Sequence, residues 1–390
     1  MTSRSRLLVL LVSTPLILFV VIGGVMTRAM SRDDSYSHLK VFDDVVSLVM
    51  NNYVEKVNPD DAMHGAMRGL AEALDADSAW LDPDQVKTLT HHDEPPKGGI
   101  GLELTRQYYL RIIAARDGSP AAKAGLRTGD FVRIINGKPT REMSVWEGTR
   151  LLRGAPGSTV KLTIIRGNAA DPHEIELTRE VETGPMVSGR IVRPEVGLIR
   201  VAAFTPHTAA DLKAQVGTLS GQGARHLIID LRSTAEGAPG LGIAPARLFV
   251  AEGVLGSRDS RNGKAETFSA ESGDGSVKLP VTLLVNNGTS QAAEVFAAAL
   301  AGHKRADLVG EHTLGRAAVQ ELVPLPDGSG LWLSTMRFAG PEDTPIHGKG
   351  LTPDAEVDEP DVEFGDTAPA SDPILDKALE RIGGAEKAAA

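Results

Sequence analysis

The stretch VTLLVNNGTSQAAEVFAAAL, residues 281–300, joins an apolar run to an Ala-rich run through a turn of small and polar residues. The apolar and β-branched run at 281–285 predicts a buried strand, and the run after Gln291 predicts a helix. Ser290 lies where the strand turns into the helix, a place where many hydrolases present a nucleophile. The stretch therefore raises the question whether Ser290 reacts, or whether Gln291 holds the position that matters.

The chain around this stretch alternates between strand patterns and helix patterns. Such a βαβ rhythm predicts a sheet covered by helices, and it extends over residues 185–365. The clearest runs are VGLIRVAAF at 196–204, AADLKAQVGTLSGQG at 209–223, HLIIDLR at 226–232 and ADLVG at 306–310.

Residues 97–182 have a different texture, with short β-type runs divided by Gly and Asn turns. The segment GSPAAKAGLRTGDFVRIINGKPT at 118–140 resembles a PDZ domain, in which a peptide adds as a strand and loop N–H groups hold its terminal carboxylate. The resemblance places the carboxylate loop in GGIGLEL at 98–104, and it makes residues of the helix at 144–154 candidates for the groove wall. The loop candidates are Gly99, Ile100, Gly101 and Leu102, and the helix candidates are Trp146, Thr149 and Leu151.

Helical spacing of apolar residues predicts that residues 36–94 are helical. The segment HHDEPPKGG at 91–99 then marks a boundary with its adjacent prolines and glycines. Its His and acidic residues raise the possibility of a metal site, but consecutive ligands on a flexible segment do not preset a coordination geometry, so we favour a solvated linker. Residues 366–390 are predicted to form a C-terminal helix and tail.

The N-terminal segment 1–30 carries an uncharged apolar run from Leu7 to Val25, preceded by Arg4 and Arg6. At about 1.5 Å per residue this run just crosses a hydrocarbon core of roughly 30 Å. No convincing cleavage site follows, so we favour an uncleaved anchor over a removed signal peptide. Arg4 and Arg6 before the run favour a cytoplasmic N-terminus. The remainder of the chain is therefore predicted to be membrane-anchored and extracytoplasmic, as in a periplasm-like compartment.

The composition limits the possible partners. A net charge of −10 without a Lys/Arg-rich run argues against nucleic-acid binding. The absence of cysteine excludes disulfides, a thiolate nucleophile and Cys-based zinc sites. We expect no metal and no cofactor.

Four further stretches extend the resemblance beyond the PDZ segment, from about Tyr36 to Ile382. They resemble the C-terminal processing peptidases, or tail-specific serine proteases, and they imply a multidomain α/β fold: a ClpP/crotonase-like sheet with covering helices, a PDZ domain and a helical N-terminal region. In this family the PDZ domain captures a substrate tail and feeds it to a serine–lysine dyad. The stretches are DSAWLD at 77–82, IIDLR at 228–232, RADLVGEHTLGRAAVQ at 305–320 and IHGKGLTPDAEV at 346–357.

The dyad positions depart from the family pattern. The family's nucleophile motif is GSASASE, and matching Gly288 and Glu294 to its ends places the reacting position at Gln291. The lysine base lies twenty-five positions later in the family, where this chain has Arg316. Gln320 matches the family glutamine that orients the lysine.

The oxyanion loop departs as well, because the family's DLRNNPGG is DLRSTAEG here, with Glu236 in place of the first glycine, before Gly237. A carboxamide has no ionisable proton to lose, and a guanidinium stays protonated and cannot act as the base. Glu236 would place negative charge where an oxyanion must be stabilised. We therefore predict that Arg316 pairs with Glu236 and that Gln291 bridges them, since a buried unpaired charge is costly.

Thr289 or Ser290 is predicted to cap the helix, or to have another structural role, instead of reacting. The preferred interpretation is a pseudoprotease that binds peptide or protein C-termini as an adaptor or regulator, for instance of an active protease relative. The alternative is an active serine endopeptidase that uses Ser290 with an atypical base. A third interpretation is a structural ectodomain without peptide binding, against which the GGIGLEL loop argues.

Overall fold

The computed structural model describes residues 37–91, 96–167, 171–181, 183–261, 263, 265–360, 362–366 and 371–389. The predicted anchor at 1–30 lies outside the described residues. Within the described part of the chain, no helix is both long and apolar enough to cross a membrane. The chain divides into two compact units, Met1–Leu70 and Ala71–Ala390.

The first unit contains a helix over residues 37–52, named α1. Its apolar side chains are largely exposed, among them Leu39 and Leu48. Helix α2 follows at Pro59–Glu72. The periodicity of the sequence therefore predicted both helices correctly.

The second unit holds all other elements, which include a region before the PDZ-like segment, that segment itself, and a core with two sheets. Two short 3₁₀ turns lie at Pro239–Gly242 and Pro341–Asp343. In chain order the elements are β1 (Ala79–Leu81), α3 (Pro83–Thr90), β2 (Gly98–Gly99), β3 (Leu102–Gln107), β4 (Tyr109–Ala115), α4 (Pro120–Lys123), β5 (Phe131–Ile135), β6 (Lys138–Pro139), α5 (Val145–Leu152), β7 (Thr159–Ile165), β8 (His173–Thr178), β9 (Glu180–Val181), β10 (Val187–Arg193), β11 (Val196–Val201), α6 (Thr208–Gly221), β12 (His226–Asp230), α7 (Ile243–Ala246), β13 (Val254–Ser260), β14 (Glu266–Ser269), β15 (Val281–Val285), α8 (Ala292–Gly302), β16 (Ala306–Gly310), β17 (Ala318–Pro324), β18 (Gly330–Ala339), β19 (Ala355–Glu356) and α9 (Pro373–Ala389).

The central sheet of the core has the strand order β10-β11-β12-β15-β16-β19. All neighbours are parallel except β10, which is antiparallel to β11. A parallel sheet is covered on both faces, and here α8 packs on one face while α9 packs on the other. The predicted strand, turn and helix at 281–300 are thus β15 and α8 in the middle of the core.

A second sheet of the core has the order β1-β18-β13-β14, with β17 pairing with β18. Strand β1 pairs with β18 through Trp80 and Leu331. The prediction of helix throughout residues 36–94 was therefore wrong at 79–81, because three alternating residues cannot reveal a strand whose partner lies 249 to 253 positions away in the chain.

The PDZ-like segment forms a sheet of order β3-β4-β5-β7-β8, with β6 beside β5. Strand β3 is an edge strand, and α5 packs beside it. Ser144 caps α5, since its hydroxyl accepts a hydrogen bond of 3.1 Å from the Glu147 N–H. Gly148 lets the helix approach closely, because a Cβ there would lie 2.2 Å from Leu110 Cδ1.

Candidate functional site

Gln291 lies at the turn that begins α8, with φ 59° and ψ −124°. A residue other than glycine is strained at a positive φ. Such backbone strain is typical of a turn that presents a nucleophile between a strand and a helix. Its N–H donates to the carbonyl of Arg316 at 2.8 Å, so the backbones of the two dyad positions are neighbours. The backbone thus places Gln291 at the strained start of α8, next to Arg316.

The two hydroxyls before Gln291 do not cap the helix, so that prediction was wrong. Thr289 Oγ1 instead donates to the Leu231 carbonyl at 2.9 Å and accepts from the Asn286 N–H at 3.0 Å. Ser290 is 1% exposed, and its Oγ has no hydrogen-bond partner among the described residues. Gln291 is itself the N-cap residue and makes no side-chain cap bond. The sharp turn at 291 moves the preceding hydroxyls away from the helix N–H groups.

The Arg316 side chain makes a bidentate ion pair with Asp77. Arg316 Nε lies 2.7 Å from Asp77 Oδ2, and Nη2 lies 2.7 Å from Oδ1. The third donor, Nη1, bonds to the Leu104 carbonyl of β3 at 3.2 Å. Burial alone would lower the pKa of the guanidinium, but the charge and hydrogen bond of Asp77, together with the charges of Glu103 and Asp75, hold this pKa above its usual value. Arg316 therefore stays charged and cannot accept a proton.

Glu236 pairs with Arg116, at the end of β4, and not with Arg316. The predicted ion pair between Arg316 and Glu236 was therefore wrong. Arg316 and Glu236 have different partners, because the PDZ-like segment supplies Arg116 and the region before it supplies Asp77. Gly237 follows with φ 116°, and a Cβ there would lie 2.4 Å from the Phe204 carbonyl.

Glu294 is fully buried and holds the Arg316 loop against α8. Its carboxyl group accepts hydrogen bonds from Thr313 Oγ1 at 2.5 Å, from the Gly315 N–H at 2.6 Å and from the Arg316 N–H at 2.8 Å. Burial raises the pKa of Glu294 to about 7, although these hydrogen bonds oppose the increase. Glu294 thus fixes the distance between the two dyad positions.

A cavity of about 290 Å³ opens in front of Gln291. Gln320 also lines it, and its amide donates to Ser334 Oγ at 3.1 Å. Arg316 and Ser290 are not among the lining residues. The cavity wall consists of Glu103, Ala235, Glu236, Gly237, Ala238, Pro239, Gln291, Ala318, Val319 and Gln320.

The candidate carboxylate loop follows β2, in which Gly99 pairs with Glu180. The carbonyls of Ile100 and Gly101 accept hydrogen bonds from the N–H groups of Ala121 and Arg116. In a trans peptide the next N–H points opposite to the carbonyl, so the N–H groups of Gly101 and Leu102 point away from these partners. This orientation suits a loop that receives a carboxylate.

The helix candidates Trp146, Thr149 and Leu151 are half-buried on α5. Arg150 lies over the Trp146 ring, 4.8 Å from its centroid. Among the described residues, no group of three or more His, Cys, Asp or Glu side chains is placed to hold a metal ion.

The sequence interpretation missed Asp77 and Arg116 as parts of the site. Asp77 lies in the DSAWLD stretch that carried part of the resemblance, so an unpaired buried charge at 316 could have prompted a search there. Asp77 lies 239 positions before Arg316 in the chain, so spacing gave no local signal of their contact.

Comparison with known proteins gives a consistent assignment. Residues 195–357 match peptidase family S41, and residues 111–166 match the PDZ domain. A carboxyl-terminal-processing protease of Synechocystis sp. is 30% identical over 361 residues, which cover 90% of this chain and 83% of the relative. A carboxy-terminal-processing protease of Bartonella bacilliformis is 29% identical, with 85% and 77% covered.

The fold has a solved counterpart as well. The structure of a photosystem II D1 C-terminal processing protease superposes with a TM-score of 0.67 at 28% identity, covering 80% of this chain and 86% of that one. Fold, domain content and sequence similarity thus agree: the chain belongs to peptidase family S41, among the carboxyl-terminal-processing proteases.

Proposed function

We propose that this protein is a proteolytically inactive member of its family, which binds the C-termini of peptides or proteins as an adaptor or regulator. The observation that supports this most is the side chain at position 291. Its backbone has the strained turn of a nucleophile, and it faces the cavity, but the side chain is a carboxamide. Such a group cannot form an acyl-enzyme intermediate as a serine does.

The base and the oxyanion loop give further support. Arg316 is directed to Asp77 and not into the cavity, and its charge is held by the ion pair. Glu236 lines the cavity with a carboxylate whose charge Arg116 offsets. Neither Arg316 nor Gln291 can therefore act as the general base, and Glu236 brings a carboxylate to the oxyanion loop.

Restoring the dyad tests this proposal. A lysine at position 316 would lie beside Asp77 and keep its proton, so the restored variant needs Gln291→Ser, Arg316→Lys and Asp77→Asn together, with and without Glu236→Gly. We expect no cleavage of unfolded casein by the natural protein or by Gln291→Ser alone, and gain of cleavage in the restored variants. Casein cleavage by the natural protein that disappears in Ser290→Ala would contradict the proposal and establish the active-peptidase alternative.

Tail binding is the second part of the proposal, and the loop at Gly101 supports it. A Cβ at Gly101 would lie 2.3 Å from Ser119 Cβ, at a φ of 74°. We expect Gly101→Ala to weaken binding of peptides with free C-termini by at least about tenfold, measured by fluorescence anisotropy. Gly118→Ala is the matched control, since Gly118 has a φ of 73° and open space around it. Equal affinity in all three proteins would contradict a role for the loop.

We further propose that the protein is anchored in a membrane by residues 7–25 and faces the extracytoplasmic side, as the uncharged run at the N-terminus suggests. Deleting residues 1–30 should move the protein from the membrane fraction to the soluble fraction. Retention of the shortened chain in carbonate-washed membranes would contradict this.

A further inference from the structure

Strand β3 leaves one edge without a strand partner among the described residues, because the order of its sheet is β3-β4-β5-β7-β8. In a PDZ domain the peptide adds as an extra strand between such an edge and a neighbouring helix, and here α5 packs beside β3. The groups that matter are therefore the backbone N–H and C=O groups of β3 that point away from β4.

The register shows which groups these are. Leu104 lies opposite Ile112 in the antiparallel pair of β3 and β4. The N–H of Ile112 donates to the Asp130 carbonyl at 2.8 Å, and its carbonyl accepts from the Gly129 N–H at 2.9 Å, so both groups of Ile112 point away from β3. Leu104 and Ile112 are thus a non-hydrogen-bonded pair, and the N–H and C=O of Leu104 face the free edge.

The Leu104 carbonyl at this edge already accepts a hydrogen bond from within the protein. Arg316 Nη1 donates to the Leu104 carbonyl at 3.2 Å, while the rest of the guanidinium is held by Asp77. The side chains of Arg316 and Asp77 are only 14% and 6% exposed. Charge-assisted hydrogen bonds between buried groups are strong, so we expect the bond from Arg316 to the Leu104 carbonyl to be stable.

From this geometry we propose that Arg316 is an internal competitor for the peptide edge of the PDZ domain. A tail that adds to β3 must displace Arg316 from the Leu104 carbonyl, so the resting protein is autoinhibited for tail binding. The residue at the position of the family's base thus serves as a latch between the core and the PDZ domain. The inference rests on the proposed binding of C-terminal tails.

Removing the latch requires a variant without an orphaned buried charge, so we choose Arg316→Met together with Asp77→Asn. The matched control is Asp117→Asn, which breaks the ion pair of Asp117 with Arg200 (2.8 Å), a second contact between PDZ domain and core that leaves the β3 edge untouched. The probe is an array of dodecapeptides with free C-termini, and the same array amidated.

We expect the double variant to bind the free-acid peptides at least about tenfold more tightly than the natural protein, and Asp117→Asn to bind like the natural protein. Amide hydrogen exchange within residues 102–107 should also increase in the double variant and not in the control. Unchanged affinity and exchange in the double variant would overturn the latch, and so would an equal increase in both variants, which would indicate general loosening.

The two readouts separate this inference from the proposed function. If no protein binds any peptide while exchange increases in the double variant alone, tail binding is wrong and the latch contact is supported. If the natural protein and the double variant bind the peptides equally and exchange does not change, the proposed function stands and the latch is wrong.

Discussion

Position 291 combines a strained backbone at the start of α8 with a carboxamide side chain. A φ of 59° costs a residue with a Cβ roughly 1–3 kcal/mol, and glycine adopts it without this cost. The strain persists because the neighbouring peptide groups are fixed: the N–H of Gln291 bonds to Arg316, and that of Ser290 bonds to the Thr234 carbonyl. The neighbouring hydrogen bonds therefore hold the turn in its strained conformation, whichever side chain position 291 carries.

This strain gives a prediction for Gln291. Gln291→Gly should raise the free energy of unfolding by about 1 kcal/mol relative to Gln291→Ala, because only glycine relieves the backbone strain. Urea unfolding followed by circular dichroism measures the difference, and the alanine variant controls for loss of the carboxamide. A glycine variant that is less stable than the alanine variant would argue against a strained turn.

Glu294 predicts a dependence of stability on pH. Its pKa is raised from 4.5 to about 7 by burial, so the folded state holds its proton more tightly than the unfolded state does. The stability advantage of the protonated carboxyl is present below about pH 4.5 and is lost as pH rises through 7. Relative to Glu294→Gln, the natural protein should lose on the order of 3 kcal/mol of unfolding free energy over this range. A difference that does not vary between pH 4.5 and 8 would contradict the raised pKa.

At the scale of elements, the periodic patterns predicted most of what the structure shows. The strand and helix at 281–300 were identified because β15 is apolar throughout and α8 is rich in alanine. Strand β1 was missed because it has three residues and its partner β18 is distant in the chain. Short strands take their conformation from pairing, which a local pattern does not record.

The site was predictable in position but not in its contacts. Counting from Gly288 and Glu294 located Gln291 and Arg316 correctly as neighbours. The partners of Arg316 and Glu236 depend on how the PDZ domain and the region before it fold against the core, and those distances are not encoded in spacing along the chain.

Gly288, in the turn between β15 and α8, contacts strand β4, and this contact gives another prediction. A Cβ there would lie 2.2 Å from the Ile113 carbonyl and 2.9 Å from Ser233 Cα. Gly288→Ala should therefore lower the free energy of unfolding by about 2 kcal/mol. Gly217→Ala in α6 is the control, since nothing lies within 4 Å of its Cβ and alanine should stabilise that helix. Equal stability of the Gly288 variant and the natural protein would show that the two elements separate easily.

For the whole molecule, the residues at the family's base and oxyanion-loop positions connect its parts. Arg316 joins the core to Asp77 and to β3, and Glu236 joins it to Arg116 at the end of β4. The family scaffold is present, and Arg316 and Glu236 make ion pairs between its parts. This arrangement supports our proposal of an inactive protein that binds C-terminal tails through its PDZ domain.

The most direct test of inactivity is the intact mass of the purified protein after treatment with a fluorophosphonate, which labels activated serines. We predict an unchanged mass for the natural protein, and an adduct at position 291 in the variant that combines Gln291→Ser, Arg316→Lys and Asp77→Asn. An adduct on the natural protein that is lost in Ser290→Ala would show that Ser290 is a working nucleophile and would contradict the account.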